Sequence, residues 1–139
     1  MASLHVPPPG HVLARGSRLP HLRVRRLDGT PFDSDDVWQR RNLLLVGVGG
    51  VPEGTGTSAW LAALEVVRPS CEAHEAVLVV TRDDVPGLAA PGVVVVDRWG
   101  EVVFTETAET VEALPSATTL VEWLRFVDHA CPECEGEAR

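Results

Sequence analysis

At 139 residues the chain is sized for one domain, and a hydrophobic fraction of 45% is enough to build a core without cross-links. A net charge of -8 excludes nucleic acid and anionic membranes as partners of a basic surface, because that mode of binding needs clustered positive charge. All 12 cations are arginine, which also excludes Schiff-base chemistry and lysine-dependent phosphate loops.

The opening, Met1 to Gly10 with Pro7-Pro8-Pro9, lacks the charged and apolar regions of a secretory signal and reads, over residues 1–15, as a flexible Pro-rich arm. No apolar run reaches the length of a membrane span. Three cysteines, an odd number, do not form a secreted disulfide framework, so a reducing cytoplasm is the expected location. Arginines crowd the first third and glutamates the last, the pattern of a solvated surface with complementary halves.

Leu19 to Leu27 alternates apolar and charged residues, as a half-exposed strand does; Asp28-Gly29 turns the chain and Thr30-Pro31-Phe32 returns it as a hairpin. A short helical turn follows, capped by Asp33 or Ser34, with Val37 and Trp38 as its apolar contacts. Leu43 to Val48 is unbroken in its apolarity, the mark of a strand buried on both faces. The glycine-rich loop Gly49 to Thr57 leads to a helix from Ser58, with Trp60, Leu61, Leu64 and Val67 at helical spacing. Pro69 ends or kinks this helix before a last turn through Cys71 and His74.

Ala76 to Thr81 is a second buried strand, parallel to the first if the helix is the crossover. Val93 to Asp97, the turn Arg98-Trp99-Gly100 and Glu101 to Phe104 read as an antiparallel hairpin, followed by an acidic loop from Thr105 to Pro115. Ser116 caps a final helix that turns Leu120, Val121, Trp123, Leu124 and Val127 to the core, and Pro132 stops it soon after Cys131. Residues 16–130 thus form one α/β domain, with an acidic tail at 131–139.

Three stretches carry a family resemblance. Gly16 to Pro20 with Leu27-Asp28-Gly29-Thr30-Pro31-Phe32 and Leu43 to Val46 resembles the opening of the peroxiredoxin and redoxin superfamily. Ala90-Pro91-Gly92 through Val103 resembles the later strand pair of thioredoxin-fold proteins, and Pro91 matches their cis-proline. The ending, with Trp123-Leu124-Arg125-Phe126 and Cys131-Pro132-Glu133-Cys134, is similar to a small bacterial branch of redoxin-like proteins. The resemblance implies a thioredoxin-like fold, with a mixed central sheet, an N-terminal hairpin and helices on both faces. It implies a thiol-dependent antioxidant or thiol–disulfide role, a thiol redox partner protein, a homodimer as a possible assembly, and no cofactor.

The match departs from the family at the helix start. Peroxiredoxins place their peroxidatic cysteine there, and the corresponding positions in this chain are Thr55, Gly56, Thr57 and Ser58. A hydroxyl does not replace a thiolate as the two-electron reductant of peroxide. The corner of Thr55, Thr57, Ser58 and Pro91 is therefore expected to be degenerate. The glycine loop fits neither the dinucleotide fingerprint nor a phosphate loop.

Cys131 and Cys134 have the spacing of a dithiol redox pair and are the expected catalytic residues. They follow a helix carboxyl terminus, whose dipole, with Glu133, Glu135 and Glu137, holds thiols near or above the free value of about 8.5. Two other readings stand beside this one. The first is a non-catalytic binding or regulatory domain. The second is a zinc site of Cys71, His74, Cys131 and Cys134, in which the crossover helix and the final helix end at one pole.

Overall fold

A computed structural model of the chain describes residues 12–50 and 54–129. The arm before residue 12 and the Cys131/Cys134 tail lie outside the described residues. Strand β1 (Arg23–Arg25) pairs antiparallel with β2 (Pro31–Asp33), with Val24 opposite Phe32. The turn between them is closed by Asp28, whose carboxylate accepts from the Thr30 N–H and hydroxyl.

Four more strands, β3 (Asn42–Gly47), β4 (Ala76–Thr81), β5 (Gly92–Val96) and β6 (Val102–Thr107), form one mixed sheet in the order β4-β3-β5-β6. β3 runs parallel to β4 and antiparallel to β5, as the crossover and hairpin patterns require. β3 and β5 are buried along their whole length, which explains their unbroken apolar sequences. β6 continues to Thr107, three residues beyond the expected Phe104, because as an edge strand it tolerates a polar end; the Thr105 hydroxyl donates to the Val93 carbonyl.

Helix α1 (Thr55–Val66) begins three residues before Ser58. Its cap, Gly54, makes no side-chain cap bond, so the start leaves no sequence signal. Pro69 breaks the helix rather than ending it: a second helix, α2 (Arg68–Ala73), takes the proline into its first turn, where a missing N–H costs nothing. Arg68 ties the break down, with Nε and Nη2 on the two oxygens of Glu65 at 2.8 and 2.7 Å and Nη1 on the Leu78 carbonyl of β4. Helix α3 (Ala117–His129) is capped by Ser116, whose Oγ accepts from the Thr119 N–H.

Alternate residues of the central strands point to opposite faces and build two cores. Leu44, Val46, Leu78, Val80, Val93 and Val95 meet Trp60 and Leu64 of α1, Cys71 of α2, and Leu120, Leu124 and Val127 of α3. Each fully buried leucine here contributes about 1.5–3 kcal/mol. On the other face Leu43, Leu45, Val79, Val94 and Val96 meet Leu22, Val24, Phe32 and Val37. The three α-helices therefore share one face. The opposite face is covered by the hairpin and the single 3-10 turn Ser34–Asp36, capped by Asp33, which accepts from the Asp35 N–H. Trp38 does not join this layer: it is 49% exposed, because the next residue, Gln39, takes a left-handed φ of 67° and turns the chain away.

Candidate functional site

The loop after β3 and the start of α1 form the corner that the sequence singles out. Gly49, at φ 65°, lies directly against Ala90; a Cβ on this glycine would fall 2.8 Å from the Ala90 Cβ. The Ala90–Pro91 bond is cis and Pro91 is buried. Residues 51–53 lie outside the described residues. The structure thus brings the β3 loop and the Pro91 segment together.

In the first turn of α1, Thr55 opens the helix, Thr57 is buried and Ser58 is exposed. A residue absent from the sequence-based set completes the corner. Glu112, from the 3-10 turn Val111–Ala113, lies against Gly56, where a Cβ would fall 2.7 Å from its Oε2, and the Thr57 hydroxyl donates to its Oε1 at 3.5 Å. The carboxylate thus lies at the first turn of α1, the positive end of its dipole. Glu112 is separated from Thr57 by 55 positions, and no local spacing announces the contact.

Cys71 is the one cysteine among the described residues. It is free and fully buried in the helical-face core, and burial pushes its thiol above the ordinary value despite the nearby Arg68. His74, three residues on, caps α2 and faces the last turn of α3: its Nδ1 lies 3.6 Å from Asp128 Oδ2. Arg98 Nη2 reaches the other Asp128 oxygen at 3.5 Å. Both neighbours hang on Asn42, only 1% exposed, whose Nδ2 donates to the His74 carbonyl and whose Oδ1 accepts from the Arg98 N–H. The α2 and α3 ends therefore share a pole, at the opposite end of β3 from the Ser58 corner.

No protein-family model matches the sequence, and no curated protein does. Solved structures do. A reduced 2-Cys peroxiredoxin from Plasmodium vivax superposes with a TM-score of 0.66 at 9% identity, over 83% of this chain and 82% of that one. AhpC from Mycobacterium tuberculosis gives 0.63 at 12% identity, over 88% and 98%. The chain has a thioredoxin-like fold. A thioredoxin-family thiol:disulfide interchange protein from Chlorobium tepidum shares this thioredoxin-like fold at a TM-score of 0.60 and 11% identity, over 83% and 98%. At such identities the likeness is one of fold, and function has to be argued from the site. No helix among the described residues is long and apolar enough to cross a membrane.

Proposed function

We propose that this protein is a redoxin-type thioredoxin-fold protein whose usual peroxide-reducing corner is degenerate, and that thiol–disulfide exchange rests with Cys131 and Cys134. The observation that carries the first half is the α1 start, where Thr57, an exposed Ser58 and the Glu112 carboxylate occupy the turn. None of these groups forms a sulfenic acid, and a carboxylate at the dipole end repels a second anion. Cys71 is withdrawn into the core.

The second half follows by elimination among the thiols of the sequence. In the exchange one tail thiolate attacks a disulfide sulfur and expels a thiolate, which takes up a proton. The second tail thiol then resolves the mixed disulfide, so two electrons pass to the substrate disulfide and Cys131 and Cys134 become oxidised. A dithiol such as dithiothreitol, or a thiol redox partner protein, returns them to the reduced state. A reducing, cytoplasmic compartment suits that cycle. Self-association as a homodimer is a separate expectation, read by sedimentation.

The test is dithiothreitol-dependent reduction of insulin disulfides. Cys131→Ser/Cys134→Ser should abolish turnover above background, and Ser58→Ala should leave it intact; unchanged turnover in the double variant overturns the assignment. Absence of turnover in the unmodified protein would favour a non-catalytic binding domain. The zinc alternative of Cys71, His74, Cys131 and Cys134 gains support from the α3 end lying at His74. It is opposed by Cys71, whose fully buried thiol disfavours the thiolate that zinc requires. Stoichiometric zinc in untagged protein would restore it.

A further inference from the structure

A cleft of about 270 Å³ opens on the hairpin side of the sheet, at the pole where β3 begins. Its floor is apolar, made by Val37, Leu43 and Val96, all buried. Trp38 stands on the rim, and although 49% exposed its ring is seated, with Cδ1 3.6 Å from where a Cβ on Gly100 would lie. Arg18 and Arg41 line the same cleft.

The charges around this cleft are unequally committed. Of its two carboxylates, Asp97 is engaged, its Oδ1 accepting from the Trp99 and Glu101 N–H groups at 2.9 Å each and closing the β5–β6 turn, whereas Asp35 is exposed and lies 3.6 Å from a His21 nitrogen that bonds Asp33 at 2.8 Å. Neither the Arg18 nor the Arg41 guanidinium has an ion-pair partner among the described residues. Two cations without an ion-pair partner among the described residues share this cleft, in a chain where acids outnumber bases 20 to 12.

Gln39, between Trp38 and Arg40, holds a left-handed φ of 67°, and its N–H donates to the Arg98 carbonyl at 2.6 Å. The rim loop is thus fixed in a conformation that a non-glycine residue adopts at a cost, which keeps Trp38 out of the core and over the opening.

We propose that this cleft binds a small organic anion with a flat apolar body, an aromatic carboxylate or aryl phosphate. Guanidinium groups match the paired oxygens of either headgroup, and the indole with the aliphatic floor takes the ring. The proposal uses neither the tail thiols nor the Ser58 corner, so its fate does not depend on the redox reading.

The experiment follows the Trp38 indole N–H signal by NMR, assigned with Trp38→Phe, during titration with benzoate, phenyl phosphate, inorganic phosphate and benzyl alcohol. Benzoate or phenyl phosphate should shift it saturably, and whichever binds tighter identifies the headgroup. Inorganic phosphate, lacking the ring, and benzyl alcohol, lacking the charge, should each bind at least about tenfold more weakly. Arg18→Gln and Arg41→Gln should each weaken binding by roughly the same factor, with unchanged thermal melting. A shift that does not saturate, or equal affinity in the arginine variants, overturns the proposal. So does a shift of the same signal on deleting residues 130–139 with no ligand present, which would make the chain's own acidic end the occupant.

Discussion

Asn42→Ala tests the polar pole most directly. The side chain is 1% exposed and makes two bonds to backbone groups far away in sequence, Nδ2 to the His74 carbonyl at 3.1 Å and Oδ1 from the Arg98 N–H at 3.0 Å. Truncation removes both partners and supplies none, and each buried group left unsatisfied costs about 1–3 kcal/mol. Partial entry of water reduces the sum, so the expected loss is about 2–4 kcal/mol, a fall in Tm of roughly 6–15 °C for a domain of this size. Asn42→Asp separates the halves, since it keeps the acceptor for Arg98 but sets a carboxylate oxygen against the His74 carbonyl. Urea unfolding followed by circular dichroism gives the magnitude, and amide exchange at Arg98 gives the location: protection should fall in the Ala variant and persist in Asp. A loss below about 0.5 kcal/mol for Asn42→Ala would refute the clamp.

Gly92→Ala should destabilise by about 1–3 kcal/mol in the same unfolding assay, because the added Cβ would lie 2.4 Å from the Ala89 carbonyl oxygen and 2.9 Å from the Leu88 side chain. In Cys131→Ser/Cys134→Ser protein, Cys71 should be inert to a thiol reagent until denaturant is added and should then titrate as one thiol per chain, since it is fully buried and its thiol is raised by burial. Asp33 is held at about 2 by the Asp35 N–H first, then by Arg23 and His21. Its folded value lies below the unfolded one near 3.9, so its contribution is present above about pH 4 and is lost as pH falls toward 2. Asp33→Asn should therefore flatten that acid limb in a pH series of urea midpoints and leave the neutral-pH slope unchanged.

The sheet was legible because its strands are. Leu43 to Val48, Ala76 to Thr81 and Val93 to Val96 carry unbroken apolar runs, and only burial on both faces accounts for such runs in strands this short. Side-chain caps and proline were legible for the same local reason: Asp33, Ser116 and Pro69 act within a turn of where they stand. What the sequence concealed is long-range. Gly54 caps α1 without a side chain, so its first turn was assigned three residues late. Glu112 reaches Gly56 and Thr57 across the fold, and in sequence it is one glutamate of an acidic loop. Trp38 has the composition of a core residue, and only the φ of Gln39 puts it on the surface. Arg18 and Arg41 line one cleft because β3 starts beside the β5–β6 turn, a fact of topology rather than of spacing.

The two ends of β3 differ in how their charges are spent, and this bears on the tail. At the Ser58 end a helix start meets Glu112, so the positive end of a dipole that elsewhere stabilises a thiolate faces a carboxylate instead. At the other end the last turn of α3 brings Asp128 to both His74 and Arg98. The exchange proposed for Cys131 and Cys134, which in the sequence follow the α3 carboxyl terminus among Glu133, Glu135 and Glu137, would for that reason be slow, cycling when a partner presents a reactive disulfide.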